Sequence, residues 1–263
     1  MAARGFRISL LALALAVVIP RAEAENPGAY RVGNLPIAAT VLTLEFPVHH
    51  AFAAEFDLAA VSQGSYSNPN PLEYLSLVMP GAWLHYDGVK NLRLSLAYQE
   101  LLFNAIPSLA VKASHEERGV TLVRIQQPRG EAALYEMVRL DVRSFDDQGG
   151  THRIVFRPRA RVGQGFNLDS THIHSVTLYQ EVAFRFAEHG YLARAFDFFR
   201  AFAGYSWTSR RGTFISLGLI GQVSLNASAT RYDILWGPAL GISYRSLAAA
   251  SETPPDPPEP EIQ

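Results

Sequence analysis

Arginines recur at every second position in the middle of this 263-residue chain. Arg153, Arg157, Arg159 and Arg161 share one parity, as do Arg139, Asp141 and Arg143, and further on Glu181 and Arg185. Near the start, Glu45, Glu55 and Asp57 are spaced the same way. Side chains two apart on an extended chain point to the same side, so these runs deliver guanidinium and carboxylate groups to one surface. The two groups pair in bidentate fashion and satisfy each other away from bulk water. Two uses follow. The set fills an interior as a salt-bridged plug, or it lines a charged constriction that selects small anionic or sugar-like solutes.

Catalysis would need a nucleophile beside a base. The candidates are His49, His50, His85, His172 and His174, with Ser175 next to the last. On a strand His174 and Ser175 point to opposite faces, while His172 and His174 share one. That pair could hold a metal ion, but no third ligand is evident. No HExxH and no P-loop occurs, and the chain has no cysteine, which removes disulfides, thiolate metal sites and cysteine nucleophiles. Gly163-Gln164-Gly165 reads as turn chemistry. The expectation is no catalytic residue, no metal, no cofactor and no enzymatic activity.

The elements that must position these groups are strands. From about residue 40 to residue 244 apolar and polar side chains alternate with period two. Leu134, Val138, Leu140 and Val142 share one face, opposite Tyr135, Met137, Arg139, Asp141 and Arg143. Ile154, Phe156, Ala160 and Val162 alternate with the arginines of the next segment, and Val176, Leu178, Val182, Phe184 and Phe186 with Glu181 and Arg185. The segments run about 10 to 15 residues, against about 9 to 11 needed to cross a membrane at a tilt. Asp87-Gly88 predicts a two-residue hairpin, and 127–130 and 208–210 read as further short turns. Longer polar connections fall at 62–71, 104–117, 146–150 and 188–193. Short turns alternating with long loops is the pattern of an outer-membrane barrel, the short turns being periplasmic.

Eleven strand candidates begin near residues 40, 51, 73, 89, 118, 132, 151, 172, 195, 212 and 231. Single-chain bacterial barrels have even counts. The expected fold is therefore an all-β, antiparallel up-and-down transmembrane barrel of about 12 strands, with 10 as the alternative. Either 31–37 or part of 104–112 is then a missed strand, or 41–61 is one long strand. Trp83, Tyr86, Tyr205, Trp207, Trp236 and Tyr244 are candidates for interfacial girdles. Two charges sit badly, Glu136 beside Val138 and Leu140, and Arg200 beside Phe198 and Phe202; each belongs at the rim or beside a bulge.

The ends are different in kind. Arg4 and Arg7, an apolar run from Ile8 to Ile19, and Ala22-Glu23-Ala24 describe a secretory signal peptide over residues 1–24. No later stretch is long and apolar enough for a transmembrane helix. Residues 25–38 form a lead-in, 39–247 the barrel, and 248–263 a mobile tail. The last 13 residues carry five prolines and four acids. Without the signal the chain has 20 basic and 23 acidic residues, so nothing suggests nucleic acid.

Taken in order, the segments resemble an uncharacterised family of bacterial outer-membrane barrels, domain of unknown function 2490. The resemblance spans about residues 39–246. It rests on Thr43-Leu44-Glu45-Phe46 with Glu55-Phe56-Asp57, on Glu117-Arg118, on Arg139-Leu140-Asp141-Val142-Arg143 and on His152-Arg153 with the arginines that follow. Tyr179-Gln180-Glu181-Val182 and Arg200-Ala201-Phe202-Ala203-Gly204-Tyr205 complete it. The opening hairpin lacks the Trp of that pattern, and the Pro-rich tail departs from it. The resemblance implies a barrel in the outer membrane but no established activity. The partners expected are outer-membrane lipid, the barrel-assembly machinery with periplasmic chaperones, and a small anionic or sugar solute. Three functions stay open: a narrow channel or transporter, a structural or surface-interaction barrel, and a lipid-acting enzyme. Intact-mass measurement of the exported protein is expected to show a chain beginning at Glu25.

Overall fold

The computed structural model describes residues 31–106, 114–130, 132–146, 150–187, 196–209, 211–225 and 231–246. The expected signal peptide and acidic tail lie outside the described residues. Within them every regular element is a strand: β1 (Arg31–His49), β2 (Phe52–Gln63), β3 (Tyr74–Val89), β4 (Leu92–Phe103), β5 (Ser114–Arg129), β6 (Ala132–Asp146), β7 (His152–Asn167), β8 (His174–Phe184), β9 (Phe186–Ala187), β10 (Phe196–Thr208), β11 (Thr213–Leu225) and β12 (Arg231–Arg245). The two residues of β9 continue β8 past Arg185 along the same neighbour, β7. The barrel thus has eleven staves rather than 12 or 10.

Each stave pairs antiparallel with the next, from β1 round to β12. The ring closes between β12 and β1, which run parallel over thirteen paired residues from Arg31↔Arg231 to Glu45↔Arg245. A ring of alternating strands with an odd count must contain one such parallel pair. The eleven candidates read from the pattern are these eleven staves, and the ring departs from the even count of single-chain bacterial barrels. Residues 31–37 are the first part of β1, so the barrel starts before the expected boundary at 39, and 41–61 is two strands joined at His50. The start of β1 and the end of β12 consequently lie at opposite ends of the barrel.

The expected hairpin at Asp87-Gly88 is also displaced. Tyr86 pairs with Leu94 and Val89 with Leu92, so the turn is Lys90-Asn91, with Asn91 at φ 64°. Asn tolerates that left-handed conformation. Asp87 and Gly88 oppose the single residue Arg93 in a bulge, which aims the Asp87 carboxylate at that guanidinium. Gly163-Gln164-Gly165 is no turn either; it lies inside β7, where Gly163 leaves room for the Tyr135 ring.

The period-two pattern sorts the faces. Leu44, Phe56, Leu58, Leu96, Val138, Leu217 and Leu219 point outward and are exposed, while Arg118, Arg139, Arg159 and Asp141 point inward and are fully buried. The molecule is oily outside and charged inside. Its interior also holds an apolar cluster on β1 to β4, β11 and β12, including Ile37, Val61, Met79, Leu101 and Ile220, onto which Phe202 and Tyr179 pack. Trp83 departs from the expected girdle: its indole lies in the lumen, with Nε1 donating to Asp57 Oδ2 at 2.9 Å.

The seam depends on close backbone approach. A Cβ on Gly237 of β12 would strike the Ile37 carbonyl of β1, whereas one on Gly221 would meet open space. Gly237→Ala is expected to cost about 1 to 3 kcal/mol through overpacking, and Gly221→Ala close to nothing. Urea midpoints of the two variants in detergent check the contrast.

Candidate functional site

Register lays the charges in rungs. Asp141 on β6 lies opposite Arg157 on β7, and Arg139 opposite Arg159. Two facing arginines would repel, but the Asp141 carboxylate binds both sides. It accepts from Arg139 Nε at 2.5 Å and from Arg157 Nε and Nη2 at 2.9 and 2.7 Å. Arg159 Nη1 reaches it at 3.5 Å. Glu181 on β8 is a second hub: it accepts from Arg159 Nε and from Arg161 Nη2, the latter at 2.9 Å, and Arg200 Nη1 lies 3.6 Å away. Glu116 on β5 takes Arg118 Nη2 at 3.0 Å and Arg143 Nη2 at 2.6 Å. Asp197, turned inward by a bulge at the start of β10, takes Arg157 and Arg185.

Rings share the same space. The Arg157, Arg159 and Arg200 guanidiniums lie 5.7, 5.5 and 4.7 Å from the Phe198 ring centre, and Arg161 lies 4.1 Å over Tyr179. Such contacts stabilise cations through the ring quadrupole.

A second group stands where β1 to β4 approach β12. Glu45 faces Glu55 across the β1–β2 pair and Arg245 across the parallel seam. Its carboxylate accepts from Arg93 at 3.1 and 3.3 Å and from Arg245 at 3.0 Å, while Asp87 holds the other edge of Arg93 at 2.8 and 2.7 Å. Glu55 Oε2 lies 3.3 Å from His85 Nε2, and Ser95 Oγ is 2.8 Å from His85 Nδ1. Glu45, Glu55 and His85 are close enough to share a metal ion, but both Glu45 oxygens are engaged by the two guanidiniums. A cavity opens among these residues, Trp83, Arg124 and Arg161, and leaves about 90 Å³ for the centres of water molecules. At about 10 to 15 Å³ per water that is room for several waters, not for a broad aqueous channel.

The expected lumen residues fall as follows. Arg139, Asp141, Arg143, Arg157, Arg159, Arg161 and Glu181 meet in the network around β5 to β8 and β10, whereas Glu45, Glu55 and Asp57 stand at the cavity. Arg153 is exposed near the start of β7, and Arg185 is only partly covered. Arg200 is a correction: it lies in the lumen together with Phe198 and Phe202, each no more than 6% exposed. Aromatic neighbours point to the oily face in the sequence, but Phe198 packs under guanidiniums and Phe202 stacks on Tyr179 inside the barrel. Sequence reasoning missed Arg93, Glu116, Arg118, Arg124, Asp197 and Arg245. The alternation Leu92, Arg93, Leu94, Ser95, Leu96 carries the signal for the first, whereas the bulge hides Asp197.

The histidines of the other candidate group do not converge. His172, at φ 57°, has Nδ1 3.2 Å from Asn167 Nδ2, and His174 Nδ1 contacts the Tyr205 hydroxyl. Their loop is tied by Asp169. The Thr171 hydroxyl, with the backbone N–H groups of His174, Ile173 and Thr171, holds that carboxyl at about 2. The chain matches no protein-family model and no curated protein.

Asp141→Asn removes the carboxylate charge that Arg139 and Arg157 share, at a site of 0% exposure. Breaking such a buried pair from one side costs about 3 to 5 kcal/mol. Chemical unfolding of the variant in detergent is expected to show a loss of this size.

Proposed function

We propose that the chain is an outer-membrane β-barrel with a narrow, guanidinium-rich lumen that favours small anionic solutes and is largely closed at rest by its own ion pairs. The observation that carries this reading is the inverted distribution of polarity. Among the described residues, charged side chains on the outward face of the strands are few: Glu100, Glu117, Glu136 and Asp146 each lie within five residues of a strand end. Near the interface such a charge costs about 0 to 1 kcal/mol, against about 2 to 4 kcal/mol for a lysine or arginine at the midplane. A water-soluble barrel would have no use for so many exposed leucines and phenylalanines. Strands of 11 to 19 residues, the two-residue β9 aside, are long enough to cross a bilayer at a tilt. The signal-peptide pattern and the family resemblance agree with this address.

Anion preference follows from the charge inside. Among the described residues nine buried arginines face five buried carboxylates. A lumen of that sign lowers the barrier for anions and raises it for cations. With the short turns periplasmic, the cavity lined by Glu45, His85 and Arg93 opens toward the periplasm. The full burial of Arg118, Arg139, Arg159 and Arg200 favours a second reading, a structural barrel without conductance.

The protein is expected in the outer-membrane fraction, with gel migration that changes on heating. In planar bilayers it should give a small conductance with anions preferred over cations, and Arg157→Ala should alter that conductance while the heat-modifiable form persists. A silent bilayer for the native chain and for Arg157→Ala would leave the structural reading. Recovery in periplasmic extract without detergent would remove both.

A further inference from the structure

One rung of the lumen is rich in donors and poor in acceptors. Arg161, Glu181, Arg200 and Gln222 are consecutive register partners across β7, β8, β10 and β11. All four point inward and are at most 5% exposed. With Arg159, three guanidiniums converge on the single carboxylate of Glu181. Tyr179 sits on the next inward position of β8, its ring 4.1 Å below the Arg161 guanidinium and stacked at 5.0 Å on Phe202.

Two polar groups at this rung find no hydrogen-bond partner among the described residues: Tyr179 Oη and Gln222 Nε2. Both side chains are more than nine-tenths buried. Gln222 Oε1 already accepts from Arg200 Nε and Nη2 at 2.9 and 2.8 Å. What Gln222 still offers is therefore N–H, and Tyr179 can offer O–H. A buried donor without an acceptor is costly. A water could take these donors but would leave the local excess of positive charge. A metal ion would add to it.

We infer that this rung is a binding site for one small oxyanion of the carboxylate or phosphate class, held by Arg161, Arg200, Tyr179 Oη and Gln222 Nε2. Such an ion accepts in every direction and carries the missing charge. The polar cavity borders this rung at Arg161. The site deepens the proposed anion-favouring lumen and rests on that reading for its physiological meaning. Its existence is testable without a membrane.

The test is calorimetric titration of the full mature chain in detergent at low ionic strength, with inorganic phosphate and separately with acetate. Saturable one-to-one binding is expected. Tyr179→Phe keeps the ring and should weaken binding by about tenfold, the loss of one hydrogen bond to a charged group. Gln222→Glu keeps the acceptor for Arg200, supplies an internal carboxylate and should abolish binding. Circular dichroism and heat-modifiable migration confirm that both variants fold. No saturable binding of either anion to the native chain or to a chain ending at residue 250 would overturn the site, as would equal affinity in the native and both variant chains. Binding seen only in the shortened chain would identify the tail carboxylates as the resident anion. Anion-selective conductance without saturable binding removes the site and leaves the proposed lumen; saturable binding in a silent barrel does the reverse.

Discussion

A guanidinium removed from water must meet a carboxylate or carry a desolvation cost of several kcal/mol. That requirement organises the interior of this barrel. Asp141 and Glu181 act as hubs because each sits one rung from several arginines on neighbouring strands. Neither hub is served from one strand alone. Arg139 lies on the strand of Asp141, but Arg157 and Arg159 come from β7 and Arg118 from β5. The network therefore exists only when β5, β6, β7 and β8 hold their register. A slip of one residue in β5, β6 or β7 would carry arginines to the oily face, and one in β8 would carry Glu181 there. Ion pairing here specifies alignment as much as it stabilises.

The parallel seam is the second organising feature. Eleven staves cannot alternate in direction all the way round, so β12 meets β1 head to head. Glu45 is placed by that seam. It faces Arg245 across the parallel pair and Glu55 across the antiparallel one. The repulsion between the two glutamates is relieved by Arg93 and Arg245, which both bind Glu45. The cavity lies beside these two strand pairs and is also walled by β3 and β4, so the polar pocket follows from the closure geometry as well as from the residues.

The interior is two-sided. Arginine-rich staves occupy one arc, and the apolar cluster of β1 to β4, β11 and β12 occupies the other. Phe198, Phe202 and Tyr179 stand between the two arcs: Phe198 and Tyr179 lie under guanidiniums, and Tyr179 and Phe202 stack within the apolar cluster. Aromatic rings suit that position because they are both apolar bodies and weak cation acceptors. The arrangement leaves little open space and accounts for the burial of the arginine side chains.

Much of the fold was legible in the residues because strand alternation is a local property. Each side chain's face depends on its parity, and parity reads directly from Leu92-Arg93-Leu94 or from Val138-Arg139-Leu140-Asp141. The eleven segments, their oily exterior and the inward direction of Arg139, Arg157, Arg159, Arg161 and Glu181 all belong to that local level. Closure does not. The number of staves that join, the parallel pairing of β1 with β12, the bulges that turn Asp87 and Asp197, and the meeting of Arg161, Glu181, Arg200 and Gln222 on one rung are decided by hydrogen-bond register between distant segments. Register is a non-local quantity, set when the last strand finds the first, and no window of sequence contains both.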